Sequence, residues 1–96
     1  MEAIYTITTL KNDGLTARCI GYYLEEKIAI GEVLNNSGDM CECGYYKYCV
    51  IERIEPGIYF IPRDEVWFEW NYEKEEYFRR NEKPLEYSDC CCYAIG

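Results

Sequence analysis

A chain of 96 residues, 49% hydrophobic and 17% aromatic, has the apolar area to bury one core and too little length for a second, which predicts a single domain spanning 1–96. Its 18 acidic and 10 basic residues leave a formal charge of -8, a mean field that repels a phosphate backbone and argues against duplex nucleic acid as a partner. The absence of histidine removes the commonest general base and metal ligand, and no run of about 18 apolar residues offers a membrane helix.

The amino-terminal segment EAIYTITTL alternates and is rich in β-branched residues, KNDG supplies turn chemistry, and LTARCIGYY returns, so a β-hairpin is predicted. MEAIYTITTL carries neither a basic region nor an apolar stretch followed by a cleavage site, and the expectation is a cytoplasmic protein. From Leu24 to about Asn36 the pattern is helical, with Glu25 and Glu26 in the first turn and NNSGD as the stop. Leu24, Ile28, Ile30, Gly31 and Leu34 share one arc of this helix, with Ala29 and Val33 on the other side. Either the helix is covered twice or its outer side meets another subunit; the alternative leaves one Ala and one Val in water. Tyr45 to Ile54 reads as a central strand, EPG turns the chain into IYFIP, and VWFEW leads through NYEKEEYF into another hairpin. A short helical turn is expected after Pro84, and CCCYAI reads as a last strand. The fold class is therefore α+β: a mainly antiparallel sheet of about six short strands with one principal helix packed on it.

Seven cysteines cannot close completely into intrachain disulfides. A zinc site drawn from Cys41, Cys43, Cys90, Cys91 and Cys92 lacks the paired C-x₂₋₄-C spacing, and in a strand Cys91 faces away from Cys90 and Cys92. No CxxC occurs. The preferred reading makes Cys19, Cys49 and Cys91 or Cys92 small core hydrophobes. Asp89 disfavours a thiolate in the adjoining cysteine run. The carboxylates of IERIE, DEVWFEW and EKEE read as solvated faces, and no glycine-rich phosphate loop is present. No metal and no cofactor are expected.

The cations that stand beside rings are the candidates for binding. Period-two alternation puts Arg18 and Tyr22 on one face of their strand, and places Tyr46, Tyr48, Val50, Glu52 and Ile54 on one face of the central strand with Lys47 and Arg53 on the other. Arg63 follows YFIP and precedes the strand of Trp67 and Trp70. Guanidinium forks with aromatic stacking can hold a phosphate and a base without a phosphate loop. The predicted ligand-binding set is Arg18, Arg53 and Arg63 for phosphates, with Tyr22, Tyr48, Trp67 or Trp70 for a base.

The stretches TARCIGYY, EVLNNSGDMCE, YYKYCVIERIEPGIYFIP, VWFEW and terminal YAIG together resemble a family of small proteins of Firmicutes and their phages and prophages. Its members run T-x-R-C-[VI]-G-[YF], a helix ending in N-N, D-[IM]-x-E, Y-x-Y-[AC]-V-I-E, a G-[IL]-Y-x-x-P turn, a Trp/Tyr strand and a closing aromatic-x-I-G. This sequence departs where similar ones place ordinary apolar residues before the final glycine, and the cysteine run there implies space filling. The resemblance implies a role in the conflict between phage and host: a non-enzymatic, homo-oligomeric sponge in the bacterial cytoplasm that sequesters a small anionic nucleotide-like immune signal. The rival readings are an acidic protein-interaction module that inhibits a host defence protein, and a thiol or metal module.

Overall fold

The computed structural model describes residues 3–57, 63–88 and 92–94, with Arg63 as backbone only. Five strands lie among them: β1 (Ile4–Leu10), β2 (Ala17–Tyr23), β3 (Tyr48–Ile54), β4 (Arg63–Asn71) and β5 (Glu76–Arg80), in the spatial order β2-β1-β3-β4-β5. Every neighbouring pair is antiparallel, and one helix, α1 (Glu26–Leu34), packs on the sheet. This is the expected α+β fold with five described strands rather than about six. IYFIP lies wholly outside the described residues, as do Cys90, Cys91 and Ile95; Cys92–Ala94 belong to no strand, and Cys92 has φ 62°. The helical turn after Pro84 is present as a 3₁₀ turn, Leu85–Tyr87. Among the described residues no helix is long and apolar enough to cross a membrane.

The first hairpin closes as its turn chemistry requires. Asp13 Oδ1 accepts the N–H groups of Leu15 and Thr16 at 2.9 and 2.8 Å, and Oδ2 accepts the Thr16 hydroxyl at 2.7 Å. Pairing then slips by one residue: Ile7 faces Gly21 but Thr8 faces Cys19, so Ile20 is an unpaired bulge. Beyond the slip Arg18 stands opposite Thr9, whereas before it Tyr22 stands opposite Thr6. Alternation along β1 puts those two on opposite faces, which corrects the expectation that Arg18 and Tyr22 share one.

Helix α1 is shorter than predicted and ends where Asn36 turns left-handed at φ 47°. Of its two apolar sides, the sheet covers that of Ala29 and Val33. Ala29 and Val33 are fully enclosed, while Leu24, Ile28 and Leu34 are exposed. The sheet face beneath carries Tyr5, Phe68, Trp70 and Tyr77, and small residues let the helix approach those rings where Leu and Ile would hold it away.

Both faces of the sheet are covered. On the helix side Ile7, Cys49, Ile51, Val66, Phe68 and Tyr77 form the core. On the other side Leu10, Tyr48, Val50 and Trp67 are roofed by Tyr87 of the 3₁₀ turn and by Tyr93. Glu52, read as part of a solvated face, lies in this second layer with no exposed surface.

Candidate functional site

The seven predicted contact residues occupy several separate places. Tyr48 and Trp67, each 3% exposed, belong to the second core layer. Trp67 meets Tyr93 edge-on at 5.1 Å and leans against Tyr87 at 6.1 Å, and Tyr48 meets Tyr87 edge-on at 6.3 Å. Their polar atoms are also engaged, with Tyr48 OH donating to Glu86 at 3.0 Å and Trp67 Nε1 to Glu65 at 2.9 Å. Burial, followed by the bond to Glu86, pushes the Tyr48 phenol up to about 12. Trp70 lies on the helix side, edge-on to Tyr77 at 5.0 Å. The faces of these rings are largely taken by the protein's own side chains, so none offers an open platform for a base.

Arg18 is exposed and pairs with Glu42 at 2.9 Å. Tyr22 is exposed too and borders a hollow of about 200 Å³ near Ile20, Gly21 and Glu32. Arg53 and Arg63 are brought together in register, facing each other across β3 and β4. Near them the pairing slips again: Ile51 faces Val66 and Arg53 faces Arg63, so β4 carries an extra residue, with Asp64 left-handed at φ 56°.

This end of the sheet holds an open basin of about 500 Å³ lined by Tyr5, Glu26, Arg53, Asp64, Glu65, Val66 and Arg79. Tyr5 stands directly opposite Arg53 on β1. The Tyr5 hydroxyl, and then Glu55 at 2.8 Å, hold the Arg53 guanidinium even more firmly charged than usual. Arg79 reaches the basin from β5, on the same face as Tyr77, and has no ion-pair partner among the described residues. Glu26, in the first turn of α1, lies at the rim, and Glu25 at the N-cap makes no side-chain cap. Glu26, Asp64 and Glu65 add negative charge to the same basin. Tyr5, Glu26 and Arg79 escaped sequence reading. Period two along EYFRR links Arg79 to Tyr77, but only strand order sets Tyr5 beside Arg53.

The thiols divide by burial. Cys49 and Cys41 are enclosed, Cys92 is half-buried, and Cys43 and Cys19 are exposed. Cys49 fills the core as expected, whereas Cys19, expected in the core, faces water on the edge strand. Burial raises the Cys49 and Cys41 thiols and keeps them protonated. Among the described residues no three Cys, Asp or Glu side chains are placed to hold a metal ion; Cys90 and Cys91 lie outside them.

No family model, curated protein or solved structure matches this chain.

Proposed function

We propose that this protein is a non-enzymatic binding protein that sequesters a small anionic, nucleotide-like molecule at the Tyr5–Arg53–Arg79 basin. The observation that carries the reading is the gathering of arginines against the mean field. In a chain of charge -8, Arg53 and Arg79 line one basin and Arg63 starts from the register position facing Arg53. Guanidinium forks and uncapped helix amides bind phosphate oxygens by the same charge-assisted hydrogen bonds, and the Tyr5 ring adds a surface for a base. Glu26, Asp64 and Glu65 in the basin weaken the hold on bare phosphate and favour a ligand with more to offer than charge. The setting of phage and host conflict, the bacterial cytoplasm and homo-oligomeric assembly rest on the family resemblance.

A panel of cyclic dinucleotides and cyclic ADP-ribose isomers in thermal melts tests this. The cognate molecule raises Tm by several degrees through mass action, and Arg53→Ala with Arg79→Ala abolishes the rise. A flat response across the panel, or a rise that survives both substitutions, overturns the reading.

A second reading, an acidic module that binds a host protein, is favoured by a different surface. The edge strand β2 is exposed along nearly its whole length and carries one charged residue, Arg18, while the other edge, β5, carries Glu76, Arg79 and Arg80. Charged edges resist strand addition and uncharged ones invite it.

A further inference from the structure

At the opposite end of β4 from the arginine basin, the loop after α1 faces the β4–β5 turn across a hollow of about 360 Å³. Asp39 and Cys43 line one side, and Trp70, Tyr72 and Glu75 the other. Unlike the basin, it has no Lys or Arg among its lining residues. Neither Asp39 nor Glu75 has a Lys or Arg partner among the described residues, where the ion pairs use Glu42, Glu55, Glu65 and Glu69 instead. Asp39 is oriented without being neutralised: it accepts Asn36 Nδ2 at 3.3 Å and the thiols of Cys41 and Cys43 at 3.5 and 3.9 Å. The last turn of α1 contains no basic residue to offset its carbonyl ends, and Asn36, just past that end, borders the hollow.

The rings are held ready for use. Tyr72 is 59% exposed, yet its hydroxyl is tied to the Gly44 carbonyl at 3.0 Å, and its ring lies so close to Gly44 that a Cβ there would sit 2.8 Å from Cε1. An exposed ring fixed in this way loses little entropy on meeting a ligand. Trp70 is 7% exposed, and its Nε1–H, also beside Gly44, has no hydrogen-bond partner among the described residues. It is not sealed in either, since Thr8 Oγ1 is the one partnerless side-chain polar atom there that is cut off from solvent. A nearly buried indole N–H that remains accessible in the wall of a hollow is a donor waiting for an acceptor.

We infer that this hollow is a binding site for an organic cation, an alkylammonium or guanidinium group carried next to a carbonyl. The cation sits against the Tyr72 ring with Asp39 and Glu75 supplying countercharge, and the carbonyl accepts the Trp70 N–H. Ring walls suit a weakly hydrated organic cation, whereas a bare metal ion would need three converging ligands that the described residues do not provide. The inference does not rest on the anion basin, which shares no lining residue with this hollow.

The full chain, titrated with N-acetyl-argininamide while the Trp70 indole N–H is followed by NMR, tests it; loss of the signal in Trp70→Phe makes the assignment. The resonance is expected to move saturably, N-acetylglutamate to leave it in place, and Asp39→Asn with Glu75→Gln to weaken binding about tenfold without changing Tm. Tyr72→Leu, which alters a surface ring, is a second variant expected to weaken it. A parallel titration with an arginine-containing peptide separates the sources. Much tighter binding than the amino-acid amide identifies a basic side chain of a partner polypeptide, and equal binding identifies a free amine or guanidine. No saturable shift with either probe at millimolar concentration, or a shift unchanged in the double carboxamide variant, overturns the inference.

Discussion

Glu52, wholly buried on the central strand, accepts the backbone N–H of Tyr93 through Oε2 at 3.1 Å. Its other oxygen accepts the N–H of Ala94 at 3.0 Å. A carboxylate at the heart of the sheet thus supplies the acceptors for backbone that belongs to no strand, and this holds Tyr93 over Trp67. Glu52→Ala leaves two N–H groups without that acceptor and opens a void, and is expected to cost about 3 kcal/mol in urea unfolding. Near-UV circular dichroism should register the loss of Trp67 packing.

The same residue carries a pH signature. Burial holds the Glu52 carboxyl above its ordinary value of 4.5, opposed by the two backbone donors. The folded chain therefore binds this proton more tightly than the unfolded chain does. Its contribution is fullest below 4.5 and is lost as pH rises through the folded value. Stability of wild type relative to Glu52→Gln should decline across that window, and urea midpoints measured at a series of pH values check the slope. A difference that grows with pH would contradict it.

Asp13 behaves in the opposite sense. The hydrogen bond from the Thr16 hydroxyl, followed by those from the Leu15 and Thr16 amides, lowers its carboxyl to about 2. What it adds to the hairpin is present above the ordinary value of 3.8 and lost as pH falls through about 2. Carbon-detected NMR titration should find Asp13 among the last carboxylates to protonate, and Thr16→Val should move it back up.

The two sides of α1 should respond differently to substitution. Ala29 is enclosed against the sheet, so Ala29→Leu overpacks the core and is expected to cost about 1–3 kcal/mol. Ile28→Ser and Leu34→Ser lie on the exposed side, where changes stay within about 0.5 kcal/mol. Thermal melts of the three variants compare them directly. Equal destabilisation would show that the outer side is also covered.

Arg79 contributes to the basin and not to the core. Arg79→Ala should change stability by no more than about 0.5 kcal/mol and yet remove most of a ligand-induced rise in Tm. Arg80→Ala is the control: its guanidinium pairs with Glu69 and lies over the Tyr48 ring, so it should cost stability and spare ligand binding.

Features that depend on neighbours along the chain could be read from residue order alone. The Asn-Asp-Gly hairpin, the helix, the central strand, the second hairpin and the turn after Pro84 were legible because turn chemistry and short-range periodicity act within a few residues. The separation of Tyr48 from Arg53 across the central strand followed from the same alternation. Features that depend on strand order and on single-residue slips arise between distant segments and could not be read that way. The bulge at Ile20 parts Arg18 from Tyr22, because one extra residue reverses every side chain beyond it. The roof of Tyr87 and Tyr93 turns Tyr48 and Trp67 from candidate platforms into core, and the neighbouring strands set Tyr5 beside Arg53. The helix periodicity showed two apolar sides but could not say which one met the sheet, since that choice belongs to the shape of the rings beneath it.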